Sequence, residues 1–443
     1  MTNFLTPTDP GYDTERTGYN LAVDHKPEVI VPAASVDDVV AAVRHATARG
    51  LGVAVQATGH GPSRGADGVV LITTSRMDGI TIDPVARTAR VEAGVRGGAL
   101  VRAAAEHGLA PLNGSSPEVG VVSYHLGGGI GMLGRSLGWA VDHVRALEVV
   151  TADGVLRRAT ATEETELFWA LRGGGRGTLG VVVAIEIDLH LIRRLYGGGM
   201  HFAAADAERA LTTWAEWTRT VPEAMGSSVL LIRMPDLPVL PDALRGHYVV
   251  HVRFAYTGSA EEGERLVRPF RDLGPVTDTV AEMPYSAVGS IHAEPTTPVP
   301  FHARNTMLGS FDAAAVAELL RHAGPGADAP FLVELRLMGG ALGRPAAVPS
   351  ALARRDGGFV LYAGAVAEAD QVPDLHAAYD RLFTAMAPWG TGGVCVNFLS
   401  GPEVTAAQLA SGYLPADVAR LAAVKRAVDP DDVFRVHHGR ATA

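Results

Sequence analysis

The sequence predicts an α+β protein, and three observations point there. Strand and helix signals alternate through residues 1–195, strands of period-two alternation mark 196–385, and a short return segment covers 386–443. At 443 residues the chain exceeds what one hydrophobic core usually serves, so more than one domain is expected.

The first element is Val29-Ile30-Val31-Pro32-Ala33, an apolar run ending at its proline. Residues 35–50 follow as a helix: Ser35 is a favoured N-cap, Asp37 and Asp38 sit in the first turn, and Gly50 closes it. Apolar runs at 53–57 and 69–74 complete a βαββ opening, a hairpin is expected around Pro84, and 98–107 reads as a helix ended by Gly108. Such alternation favours α/β layers. Beyond 196, helices are predicted at 203–219, 260–272 and 312–323. Tyr248–Tyr256 and Leu332–Leu337 alternate as strands with one face packed and the other wet or lining a cavity. Residues 234–246 and 287–311 are expected to be loops, and the tail holds a helix at 417–427 that stops before Pro430.

Charge excludes some functions. With 38 Lys+Arg against 48 Asp+Glu the net charge is -10, which disfavours nucleic acid or an anionic membrane as partner. The single cysteine, Cys395, excludes an intrachain disulfide and a multi-cysteine metal site, and fits a reducing cytoplasm. No signal segment or 18-residue apolar run is present, so neither export nor a membrane partner is expected. Nucleophile-elbow and Walker A patterns are missing as well.

Glycine concentrates at 59–61, 127–131 and 173–180. Such runs let backbone N–H groups approach a ligand. Two contain a literal GxGxxG, at 129–134 and 175–180, but neither opens the first βαβ unit. No acid stands at the dinucleotide-binding distance either: Glu148 comes too early and Asp153 falls in a turn. His60 lies between two glycines at the end of an apolar strand, which exposes its imidazole to whatever the loop binds. A neutral imidazole can be base, metal ligand or nucleophile, and no metal site is expected because no second ligand stands at metal spacing.

Five blocks recur in order: Gln56-Ala57-Thr58-Gly59-His60; Ser116-Pro117-Glu118-Val119-Gly120 with Leu126 to Gly131; Gly138-Trp139-Ala140-Val141-Asp142-His143-Val144; Leu167 to Gly175; and Arg420 to Lys425 with Asp429-Pro430 and Phe434. Together they resemble the vanillyl-alcohol oxidase type of FAD domain, in the berberine-bridge and hydroxynicotine-oxidase branch. The resemblance implies a two-subdomain FAD-binding domain of the p-cresol methylhydroxylase type over 1–195. A substrate domain over 196–385, with an antiparallel sheet flanked by helices, and a C-terminal segment over 386–443 would follow. It implies FAD as cofactor, contacted by Gln56, Ala57, Thr58, Gly59, His60, Gly61, Gly65, Ser116, Val119, Gly120, Val121, Val122, Ser123, Tyr124, Gly127, Gly128, Val182 and Asn397.

Departures from the family pattern sharpen this. Members bond the histidine to the flavin 8α-methyl carbon, and bicovalent ones add a cysteine where Ser116 stands. Serine forms no thioether, so only the His60 link is expected. Gln56 replaces an arginine and removes a fixed positive charge. Cys395 stands where relatives carry a tyrosine base, either as a small core residue or as a thiol base, and Asn397 keeps the place that contacts the flavin ring.

In the middle region Glu334 and Arg336 share a strand face, as do His251 and Arg253. They either pair within the sheet or act on substrate. Glu334, Arg336 and Tyr362 are the candidate catalytic wall, Glu334 as general base if burial raises its pKa. The expected reaction is hydride removal from a C–O or C–N carbon of a small organic substrate, with dioxygen as the final acceptor, by a monomer or homodimer. The alternatives are an oxygenase or cyclase on the same fold, or a protein that keeps FAD as a structural element.

Overall fold

The computed structural model describes residues 2–436; the end of the expected C-terminal segment, 437–443, lies outside the described residues. The βαββ opening forms a parallel three-stranded sheet, β1 (Val29–Pro32), β2 (Val53–Gln56) and β3 (Val70–Thr73), in the order β1-β3-β2. The helix Val36–Arg49 begins where Ser35 accepts the Asp38 N–H and ends at Gly50, whose φ of 66° suits glycine. Its Val39, Ala42, Val43 and Ala46 form the buried stripe that a 3.6-residue period requires.

Next comes a five-stranded sheet: β4 (Ile80–Asp83), β5 (Thr88–Glu92), β6 (Val144–Val150), β7 (Leu156–Thr160) and β8 (Val181–Asp188), in the order β4-β5-β8-β6-β7. The expected hairpin is β4–β5. All pairs are antiparallel, so the α/β expectation holds only for the first sheet. The β6–β7 hairpin turns the chain before the helix Thr165–Gly174, which returns β8 against β6 rather than β7.

The middle of the chain forms an eight-stranded antiparallel sheet of β9 (Arg194–Ala203), β10 (Met225–Arg233), β11 (Tyr248–Tyr256), β12 (Thr277–Asp278), β13 (Ala281–Pro284), β14 (Phe301–Leu308), β15 (Leu332–Leu337) and β16 (Phe359–Val366). Its order is β12-β9-β11-β10-β15-β16-β14, with β13 also on β9. The helices Ala207–Trp217, Ala313–Ala323 and Val372–Met386 cover one face, sealing Trp214, Phe311 and Tyr379 in the core. Every residue of β11 is buried, so its polar face lines an interior cavity rather than bulk water. Residues 287–311 are not only loop: they include part of the 3₁₀ turn Tyr285–Ile291 and all of β14. The polar run His302, Arg304, Asn305, Thr306 hid that strand, which pairs with β16 more than fifty residues on.

The tail returns to the first sheet. Val53 N–H donates to Val433 O at 2.8 Å, and Phe434 is fully buried in the same core. Buried Asp429 accepts the Val433 and Phe434 N–H groups at 2.8 and 2.9 Å and pairs with Lys425, which explains the sequence block Lys425…Asp429-Pro430…Phe434 as a fastening. The tail also holds the helices Ala406–Ser411 and Pro415–Val428. Among the described residues no helix is long and apolar enough to cross a membrane.

Candidate active site

The loop after β2 must turn sharply beside residues 18–19. Gly59 has φ 69°, and a Cβ there would lie 2.6 Å from Gly18 Cα, so glycine is required. The turn lays the His60 ring on Tyr19, stacked at 3.9 Å and 7°. His60 Nδ1 lies 2.9 Å from Thr58 Oγ1, while Nε2 is buried without a partner. Burial, with Arg96 adding to it, lowers the imidazole to about 4, so it is neutral near pH 7. Arg176 holds the loop from the far side, donating to Gly61 O at 2.7 Å and to Val396 O at 3.1 Å. Gln56, where relatives carry arginine, is itself buried, with Oε1 unpartnered.

Opposite stands the helix Val121–Leu126, begun at Gly120. Asn397 Nδ2 donates to Tyr124 O at 3.0 Å, which joins the C-terminal segment to this helix. Gly127 permits the contact, since a Cβ there would fall 1.6 Å from Asn397 Oδ1. The Tyr124 hydroxyl is buried without a partner.

The large sheet supplies the third wall. Glu334 and Tyr362 are register partners on β15 and β16, and Arg253 comes from β11. Arg253 Nη1 donates to Glu334 Oε1 at 3.0 Å and Arg336 Nε to Oε2 at 3.0 Å. Arg336 continues to Ser115 Oγ at 3.1 Å, and Arg253 Nε donates to His251 Nδ1 at 3.2 Å. His251 in turn stacks on His201 at 3.8 Å. Burial alone would raise the Glu334 carboxyl, but Arg336, His292 and Arg253 together hold it well below the usual carboxylate range. That corrects the expectation of Glu334 as a base activated by burial: it is a fixed anion between two cations. Burial lifts the Tyr362 hydroxyl well above its ordinary range, so it is neutral near pH 7.

A residue in the region expected to be loop belongs to this wall. His292 is buried, with Nε2 3.4 Å from Glu334 Oε1 and neither ring nitrogen hydrogen-bonded. Burial first, then Arg253, lowers it to about 4. The next residue, Ala293, has φ 50°, a conformation costly for a residue with a Cβ and often found at functional sites.

These walls enclose one cavity of about 1370 Å³. Ordinary small-molecule pockets span roughly 300–1,000 Å³, so there is room for a dinucleotide cofactor with a second molecule. Gln56, Ala57, Thr58, Gly59, His60, Gly61, Val119, Val122, Ser123, Tyr124, Val182 and Asn397 line it, as do Glu334, Arg336 and Tyr362. Gly65, Ser116, Gly120, Val121, Gly127, Gly128 and Cys395 are not among the lining residues. Gly65 packs beside Asp67 and Asp24 O, and buried Ser116 accepts the Glu118 N–H. Gly120 starts the helix, and Val121 packs into the core of the five-stranded sheet. Gly128, at φ 111°, fits against Leu352 and Trp139, and Gly127 against Asn397. Cys395 packs among Trp139, Met307 and Val360, its N–H donates to Asn305 at 2.7 Å, and burial pushes its thiol up to about 11. It is the small core residue, not a thiol base.

Tyr19, Arg176, His201 and His292 line the cavity too and went unmarked in the sequence. Arg176 had a visible signal, since it sits inside the third glycine run; the others carried none.

A family model described as an FAD binding domain matches residues 27–160. The (R)-6-hydroxynicotine oxidase of Paenarthrobacter nicotinovorans is 30% identical over 97% of this chain and 94% of its own length. The crystal structure of 6-hydroxy-D-nicotine oxidase from Arthrobacter nicotinovorans superposes with a TM-score of 0.87 at 26% identity, covering 99% of this chain and 97% of that one. A xylooligosaccharide oxidase from Myceliophthora thermophila C1 shares the fold, with a TM-score of 0.85 at 21% identity, covering 100% of this chain and 97% of that one. Fold and site thus define an FAD-dependent oxidoreductase. The chain belongs to the vanillyl-alcohol oxidase / p-cresol methylhydroxylase superfamily of FAD-linked oxidoreductases, in the branch of the (R)-6-hydroxynicotine oxidase.

Proposed function

We propose that this chain is an oxidase of a small organic metabolite, oxidised at a carbon bearing oxygen or nitrogen, with FAD attached through His60 alone. The observation that carries it is one cavity bringing the unpartnered His60 Nε2 together with the His292–Glu334 pair. The buried neutral imidazole fits a flavin attachment point: an unpartnered ring nitrogen is a nucleophile and costs stability while it stays unpaired. Residues 1–195 with 386–443 hold the cofactor in this reading, and 196–385 the substrate.

FAD supplies the hydride acceptor, and dioxygen the final one. His60, Tyr19 and Arg176 position the cofactor loop, while Asn397 and Tyr124 form the opposite wall. His292 receives the substrate's hydroxyl or amine proton, and the Glu334 carboxylate favours the resulting imidazolium. Arg253 and Arg336 keep Glu334 ionised, and Tyr362 orients the substrate by hydrogen bonding. Lowered to about 4, His292 is neutral at pH 7 with its ring nitrogens unpartnered, and to act as base it needs bound substrate beside the Glu334 carboxylate to raise its proton affinity toward the operating pH.

The test has two parts. Candidate alcohols and amines are added anaerobically, and an oxidase loses its oxidised-flavin absorbance and regains it with air while peroxide forms. A flavin that never bleaches with any metabolite overturns the redox reading. Acid-precipitated protein keeps its yellow colour if the His60 bond exists, and loss of all flavin overturns the covalent part alone.

A further inference from the structure

We propose that His302, His376 and Glu403 form a binding site for one divalent cation of the zinc class, outside the flavin cavity. Their ligand atoms all lie within 4.8 Å of one another, and all three residues are half-buried. Tetrahedral zinc with bonds of about 2.0–2.1 Å places its ligand atoms roughly 3.4 Å apart. Small side-chain rotations on a fixed backbone close that difference. Two imidazoles and one carboxylate suit zinc, nickel or copper better than calcium or magnesium, which prefer oxygen alone.

The backbone frame is already braced. His302 is on β14 and His376 on the helix Val372–Met386, and the Tyr379 hydroxyl donates to His302 O at 3.0 Å, tying strand to helix. The neighbouring cation, Arg304, is paired with Asp380 and lies over the Tyr379 ring, so its charge is balanced. His376 Nε2 is 4.0 Å from Glu403 Oε1. Successive side chains of a strand alternate in direction, so His302 faces the helix layer while Phe301 lines the cavity. Water in the remaining position would complete four-coordination.

The site has a consequence for the flavin loop. Glu403 lies in the segment whose Gly401 N–H donates to Pro62 O at 2.9 Å, two residues past His60. A bound ion therefore clips three separate parts of the chain together: an edge strand, a helix and the strap that touches the loop of His60. Sequence spacing conceals the set, since the ligands stand far apart in the chain.

The test uses the full-length, untagged, flavin-loaded protein, stripped with chelator and titrated with zinc chloride by calorimetry. One equivalent of zinc per chain and a raised Tm are expected. His376→Ala and Glu403→Gln should each weaken binding by more than about tenfold, the least that loss of a supporting hydrogen bond to a ligand costs. His107→Ala, which removes an exposed histidine elsewhere, should leave it unchanged. Cobalt provides a readout on the unmutated protein, through d–d bands of a four-coordinate site containing histidine nitrogen. Binding well below one equivalent, affinity equal in wild type and both variants, or cobalt bands of an all-water shell would overturn the proposal.

Discussion

His292 Nε2 lies 3.4 Å from Glu334 Oε1 in a wall where both side chains are almost wholly buried. Removing the imidazole while keeping a polar side chain, as in His292→Gln, should lower the rate of substrate-driven flavin reduction by about 10²–10⁴-fold, the usual worth of a positioned base. KM should move far less. Stopped-flow reduction under anaerobic conditions measures both, and a wild-type rate in this variant places the proton acceptor elsewhere. Glu334→Gln should behave differently. It leaves Arg253 and Arg336 without their shared anion, at a cost of about 3–5 kcal/mol in stability, visible as a lowered Tm.

Arg176 bridges Gly61 O and Val396 O, and so couples the His60 loop to the C-terminal segment. Arg176→Ala removes two charge-assisted hydrogen bonds, and a loss of about 3 kcal/mol in unfolding free energy is expected. The fraction of flavin retained after acid precipitation should fall with it. Lysine restores the charge but not the two-pronged geometry, so Arg176→Lys should recover only part of the retention.

A methyl group separates two kinds of glycine. Gly127→Ala would push against Asn397 Oδ1, so Asn397 must leave its bond to Tyr124 O. FAD affinity and the flavin absorption spectrum should both change. Gly274 has open space around its missing Cβ, a φ of +75° and no place in the cavity lining, so Gly274→Ala should cost only about 1 kcal/mol of backbone strain, with the spectrum unchanged. Identical spectra for the two variants would show that Asn397 does not border the flavin.

Acid should weaken the fold before the carboxylates titrate. Burial holds His125 and His190 at about 4, against 6.5 in an unfolded chain. Between pH 6.5 and 4 the unfolded state takes up protons the native state refuses, so stability declines as pH falls through that window and levels off below it for these groups. Each contributes up to about 1.4 kcal/mol per pH unit. His143 acts in the opposite sense, because Asp188 and Leu137 O raise it despite its burial. Urea unfolding across pH 4–7 measures the net slope, and His190→Gln should flatten it.

Local features were legible in the sequence wherever the physics is local. Ser35 and Gly50 cap the helix they mark because capping needs only adjacent backbone groups. The βαββ opening, the hairpin at Pro84 and the strands Tyr248–Tyr256 and Leu332–Leu337 follow from apolar periodicity. β14 was not legible, because its polar side chains pair and pack against residues distant in sequence. His292 was hidden likewise: nothing within its own segment reveals Glu334 as its neighbour.

What the sequence by itself determined is the cofactor class, through five ordered blocks, and the turn before His60, where Gly59 takes a positive φ. Only the tertiary structure decided the chemistry of the opposing wall. It turned Glu334 from a base activated by burial into an anion fixed between Arg253 and Arg336, buried Cys395 away from the cavity, and brought in His292. The reason is electrostatic: the proton affinity of a buried group depends on which charges the fold places within a few ångströms, and those come from strands far apart in the chain.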